Sequence, residues 1–211
     1  MGGMPEPDTP IAPAVYQLRV VLREISPIIW RRLLVGAGTS LVGLHDVLQI
    51  AFGWSGEHLH RFVVHGATFD AEHGDDLRAV RLGSLGLRET ERFVYDYGLG
   101  VLWRHDIRVE QVLGADPAGR HPRCTGGRRA GPPEECGGPR AFMERSQPYR
   151  VLGVMSRAAQ IMGTLLDDMT QLGEHRAELA ALYPWLSLER FDRRAVNRAL
   201  ARLGHPERSA A

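Results

Sequence analysis

The sequence predicts an α+β fold: a mainly antiparallel sheet of about five strands with packed helices, and a C-terminal part that is helical. Three observations carry this. Period-two alternation marks the first half of the chain, turn signals become sparse after Met155, and strands therefore precede helices rather than interleave with them. Interleaving would have pointed to a parallel sheet; this order points to helices packed on an antiparallel one.

Taken in order, Tyr16, Leu18, Val20 and Leu22 alternate with Gln17, Arg19 and Arg23, the pattern of a half-buried strand. Ser26-Pro27 breaks it, and Ile28 to Val35 reads as the returning strand. Thr39 or Ser40 can cap a helix with Leu41, Leu44, Leu48 and Phe52 on one face and Gly53 as its stop. A third strand runs from His58 to His65, with His58, His60, Phe62 and Val64 on one side. Residues 66–90 are turn-rich, with a short helical piece around Leu82 to Leu87. Arg92 to Tyr97 is the fourth strand. In the fifth, Trp103, His105, Ile107 and Val109 face one way, while Arg104, Asp106, Arg108 and Glu110 face the other.

Residues 114–140 read as one long loop. Between Pro122 and Gly138 they hold both cysteines, five glycines and three prolines, a composition that disfavours helix and strand alike. Helices are expected over 155–204, through Ile161–Leu165–Leu166–Met169 and Leu179–Leu182. The last would begin near Asp192, bury Val196, Ala199, Leu200 and Leu203, and end at Gly204. The acidic, Pro-rich residues 1–13 read as a disordered tail, and 14–205 as one domain.

The 211 residues carry a formal net charge of +1, which supplies no global field for nucleic acid or an anionic membrane. All 26 basic residues are Arg. Two cysteines do not make a disulfide scaffold, so a reducing, cytoplasmic setting is expected. No apolar run reaches the ~18 residues of a membrane span.

Several blocks resemble one family. Ile25-Ser26-Pro27-Ile28-Ile29-Trp30-Arg31-Arg32 is similar to the opening of the root-inducing-plasmid (pRi) ORF-three-like family. Leu44-His45, Phe52-Gly53-Trp54 and His58-Leu59-His60-x-Phe62 resemble its helix-plus-strand signature. Tyr95-Asp96-Tyr97-Gly98 with Trp103-Arg104-His105, the loop Pro122 to Gly138, and Phe191-Asp192 with Val196-Asn197 and Leu200 resemble its later blocks. The resemblance spans roughly residues 15–203. It implies an α+β protein encoded beside mobile elements, with no established activity. The chain departs from the pattern at Leu99, where an Asp is expected, at an inserted Val101-Leu102, at Glu135 in place of Asp, and at Gly131, where many members have a third Cys.

Some members carry a resolvase label, which these residues do not support. Val21 stands where a serine recombinase would need its nucleophile, and no tyrosine-recombinase order is present. Cys124 and Cys136 lack a short Cys-x-x-Cys knuckle, so no cofactor is expected. Zinc is the alternative, if His58, His60, His105 or His121 joined the two thiols. His58, His60, Asp96, His105 and Glu135 form a candidate polar cleft: an Asp–His pair on facing strands could tune a base, or simply fix the sheet register. Arg194, Arg198 and Arg202 recur every four residues along the last helix and could contact phosphates, or could line a solvated face. Trp30, Trp54, Tyr95 and Trp103 are expected in the core. The expected function is that of a non-catalytic accessory or binding protein associated with plasmids and mobile elements. The alternatives are a hydrolase-like or metal-dependent enzyme and a DNA-binding accessory factor; the partner would be DNA or a protein.

Overall fold

In the computed structural model, residues 15–70, 76–98, 100–114 and 121–203 are described. The expected N-terminal tail, Leu99 and the stop at Gly204 lie outside them. The strands are β1 (Val15–Leu22), β2 (Trp30–Gly36), β3 (His60–Val64), β4 (Ala67–Asp70), β5 (Arg92–Tyr97), β6 (Trp103–Leu113) and β7 (Arg123–Arg128). The helices are α1 (Leu41–Phe52), α2 (Gly138–Arg145), α3 (Pro148–Asp167), α4 (Leu172–Leu186) and α5 (Arg193–Leu203). The strands form one sheet in the order β4-β3-β5-β6-β1-β2-β7, antiparallel at every pairing.

The sheet has seven strands rather than five, and both additions lie at its edges. β4 is only four residues long and turns back from β3 through His65 and Gly66, both at positive φ. Two consecutive left-handed residues make the tight hairpin turn whose twist matches the strands. β7 lies inside the stretch expected to be loop. Its Gly126 and Gly127 act through close packing rather than turning: a Cβ on Gly126 would come within 3.3 Å of the Trp30 ring, and one on Gly127 would collide with Phe191. Edge pairing to β2 supplies the ladder that local composition disfavours.

One face of the sheet is the core. Leu18, Val20, Leu33, Phe62, Tyr95, Trp103, Ile107 and Val109 are buried there, as the alternation predicts, beneath Leu41, Leu44, Val47 and Leu48 of α1. Ser40 caps α1 by accepting from the Gly43 amide at 3.1 Å, and Gly53 closes it with φ 78°. The other face carries Arg19, Arg32, Arg104 and Glu110. Trp30 is here too, half-buried under the guanidinium groups of Arg19 and Arg32, and not in the core as expected.

Helix starts before Met155, at Gly138 and Pro148, because two left-handed glycines, Gly137 and Gly138, turn the loop into α2. Asp192 caps α5 by accepting from the Ala195 amide at 2.8 Å, and Leu200 is buried. Leu203, expected inward, is 40 % exposed. Arg31 ties the sheet to α1: fully buried, it donates to the Ala51 carbonyl at 2.7 Å and to the Trp30 and Arg128 carbonyls, between the rings of Phe52 and Phe191.

Candidate functional site

The segment after α1 and the loop after β7 meet over the ends of β5 and β6. Gly53 reverses the chain, Trp54 enters the core, and its indole donates to the Pro132 carbonyl at 2.8 Å. That bond anchors the Pro-Pro-Glu-Glu-Cys stretch. Trp54 also stacks on Tyr97, ring centres 5.4 Å apart, and Trp103 donates to the Glu134 carbonyl at 3.4 Å.

Glu134 is the centre of this arrangement. Its carboxylate accepts from the Ser55 amide at 2.7 Å, from the Ser55 hydroxyl at 3.0 Å and from the Tyr97 hydroxyl. A carboxylate has about four lone-pair sites, so three are used within the protein and one remains. His58 Nε2 lies 3.9 Å from Glu134 and 2.6 Å from Glu135. The ligand atoms of His58, Glu134 and Glu135 lie within 4.8 Å of one another, the one such group of three or more His, Cys, Asp or Glu among the described residues. They open on a cleft of about 330 Å³ whose walls include Leu59, Val101 and Trp103.

Behind this mouth lies a second polar group, in which His45, Gln49 and Tyr95 are buried and His60 is half-buried. The rings of His45 and His60 stack at 3.8 Å, and His45 Nδ1 and Gln49 Nε2 each lie 2.7 Å from the Tyr95 hydroxyl. Burial, reinforced by the neighbouring His60, pushes the His45 pKa down to about 4; burial lowers that of His60 too. Burial pushes the Tyr95 hydroxyl well above its ordinary value. This cluster is held neutral.

The expected polar cleft is therefore divided. His58 and Glu135 are together at the mouth. His60 lies behind them, and His58 precedes the strand rather than sharing its buried face. His105 is fully buried among the rings of Phe52, Trp54 and Tyr95, and burial pushes its pKa down to about 4. Asp96 does not pair with it. Successive strand residues point to opposite faces, so Asp96 lies on the other side of the sheet, bonded to Arg61 and Arg104 at 2.8–3.0 Å. Burial opposes its ionisation, but those arginines outweigh it and hold its pKa below the ordinary value.

Cys124 and Cys136 are free, buried thiols outside the His58 cluster, and burial raises the pKa of each. Cys124 Sγ donates to the Gly126 carbonyl at 3.3 Å, and Asn197 clasps its backbone from α5. Gly131, where a third Cys was expected from the resemblance, packs so closely on the Phe52 carbonyl that a Cβ has no room. Arg194, Arg198 and Arg202 are exposed along α5. Sequence reading missed Ser55, Tyr97 and Glu134. The Pro-Pro-Glu-Glu motif offered Glu134 as readily as Glu135; only the anchoring by Trp54 distinguishes the inner carboxylate from the outer.

Comparison with known proteins agrees with the motif blocks. The family model described as plasmid pRiA4b ORF-3-like protein matches residues 14–150. The uncharacterized protein y4hQ of Sinorhizobium fredii is 35% identical over 141 residues, which cover 62% of this chain and 71% of that protein. A crystal structure of a protein of unknown function, MM3350 from Methanosarcina mazei Go1, superposes with a TM-score of 0.64 at 28% identity, covering 87% of this chain and 97% of that one. No helix among the described residues is long and apolar enough to cross a membrane. From its motif blocks and from the model match over most of its length, the chain belongs to the plasmid pRiA4b ORF-3-like family.

Proposed function

We propose that this protein is a non-catalytic accessory or binding protein of plasmids and mobile elements, and that the cleft at His58, Glu134 and Glu135 takes a small cation. The observation that carries the reading is the state of Glu134. Its side chain is only 13% exposed, it is oriented by three internal hydrogen bonds, and its ligand atoms lie within 4.8 Å of those of an imidazole and a second carboxylate. Ligand groups held by such outer hydrogen bonds are preorganised for a cation. One nitrogen and two oxygen donors suit a divalent ion of the zinc or manganese type, and the apolar walls would equally accept the carbon chain of an amine.

The same bonds argue against nucleophilic chemistry. The Ser55 hydroxyl donates to a carboxylate that two other protein donors also occupy, and the His58 ring faces Glu135, so at this cleft no hydroxyl is paired with the imidazole. The test is thermal denaturation and calorimetric titration with Zn²⁺, with Mn²⁺ and with an alkylamine. One of the three should stabilise the wild type saturably, by about 2.7 kcal/mol at a hundredfold excess over Kd. Glu134→Gln should remove the response while keeping the fold. A wild type that no probe stabilises at millimolar concentration refutes the reading.

A further inference from the structure

We propose that two copies of this chain pair through the open face of α3, antiparallel about Ala159, so that their α3–α4 hairpins form a four-helix bundle. The proposal is independent of the cleft and of what binds there.

The hairpin is poorly buried for its length. α3 has 20 residues, about 30 Å of helix, yet among its described side chains only Ile161 and Leu165 are buried, and α4 buries none. α3 packs chiefly on α4, with Arg157 bonded to Glu178 at 2.6 and 2.9 Å along one flank. The better-covered side chains of α3 are Val151, Val154, Ala158, Ile161 and Leu165, spaced three and four apart. That is one heptad seam, and it is the covered one.

A second seam runs beside it, turned about 100° around the helix axis, since each residue advances by that angle. Leu152, Met155, Ala159, Met162, Leu166 and, past the helix end, Met169 are spaced three, four, three, four and three. Leu152, Met155, Met162, Leu166 and Met169 are 64, 52, 53, 79 and 64% exposed. An apolar stripe of this length at strict coiled-coil spacing marks a contact surface on an otherwise ordinary exterior.

The identity of the occupant follows from the spacing, which is nearly palindromic. Laying α3 antiparallel on a second α3 with Ala159 on the two-fold axis sets Leu152 against Leu166 of the other copy and Met155 against Met162. The small residue falls where the helices must approach most closely. Self-complementarity about a point is what an isologous dimer requires, and Leu152 and Leu166, each seven residues from Ala159, supply it at the two ends of the stripe. Charge agrees: Arg150 at one end of α3 is brought to Asp167 and Asp168 at the other. Shape agrees as well. Leu152 and Met155 border a cleft of about 450 Å³ with Trp185, Leu186 and Leu188. The same register delivers Leu166 of the second copy, the most exposed large apolar side chain among the described residues, to that cleft.

The test uses the full chain in sedimentation velocity and size exclusion with light scattering at tens of micromolar. The expected mass is twice the 23.4 kDa of one chain, and the double variant Met155→Glu, Met162→Glu should sediment as a monomer with unchanged helical circular dichroism. Should that variant unfold, Ala159→Cys decides the matter. It should form a disulfide-linked dimer on air oxidation, whereas Ala158→Cys, on the covered seam, should not; the native cysteines are buried. A wild type that stays monomeric overturns the proposal, including one that instead captures a different protein. So does a dimer that survives the glutamates, or an Ala159→Cys variant that does not cross-link.

Discussion

Acid should unfold this protein through histidines that the fold holds neutral. Burial depresses His45 and His105 to about 4, with the neighbouring His60 adding to the effect on His45. An unfolded histidine titrates near 6.5. Between those values the unfolded chain binds protons that the folded chain refuses, so stability is full above about pH 6.5 and falls as pH drops toward 4. A depression of about 2.5 units corresponds to roughly 3 kcal/mol for each residue, and about 7 for the pair. That is a large share of the 5–15 kcal/mol that typically holds a domain together. Near pH 5 the two groups should give a slope of about 2.4 kcal/mol per pH unit. The assay is urea unfolding followed by tryptophan fluorescence at several pH values between 7 and 4.5. The informative comparison is His105→Phe, which keeps a ring among Phe52, Trp54 and Tyr95 and should lower the slope by one histidine's share, about 1.2 kcal/mol per pH unit, while His45 and His60 keep theirs. Asp46, whose carboxyl pKa burial raises, acts in the opposite sense, but both proteins carry it. Stability that stays constant from pH 7 to 5, or a slope untouched by His105→Phe, would refute the reasoning.

Two further outcomes are expected. Arg31→Met keeps an apolar stem but leaves the Ala51, Trp30 and Arg128 carbonyls without their cationic donor. The loss should be about 3 kcal/mol, or a Tm lower by roughly 6–12 °C, and a change under 1 kcal/mol would show that water replaces the guanidinium. Replacing Arg194, Arg198 and Arg202 together with Ala should leave the Tm within about 2 °C, since all three are exposed. In a low-salt gel shift, retained DNA that the triple variant releases would favour phosphate contacts by α5; no retention of the wild type would exclude them.

The sequence by itself determined the parts whose physics is local. Alternation along Tyr16–Leu22 and Trp103–Val109 was enough to place the core face, because a strand with one buried side must repeat every two residues. Ser40 and Gly53 bounded α1 for the same reason: a cap hydrogen bond and a left-handed stop are properties of a few neighbouring residues. Only the tertiary structure could decide what depended on partners distant in the chain. β7 is a strand because β2 offers it an edge, against the preference of its own glycines. Asp96 and His105 looked like a pair until the register put them on opposite faces of the sheet. Glu134 became the centre of the cleft because Trp54 holds Pro132, a contact across 78 residues that no local pattern encodes. The open seam of α3 was written in the sequence as spacing. That α4 covers the neighbouring seam and leaves this one bare is settled by packing, since a helix shows its heptads but not which of them is already occupied.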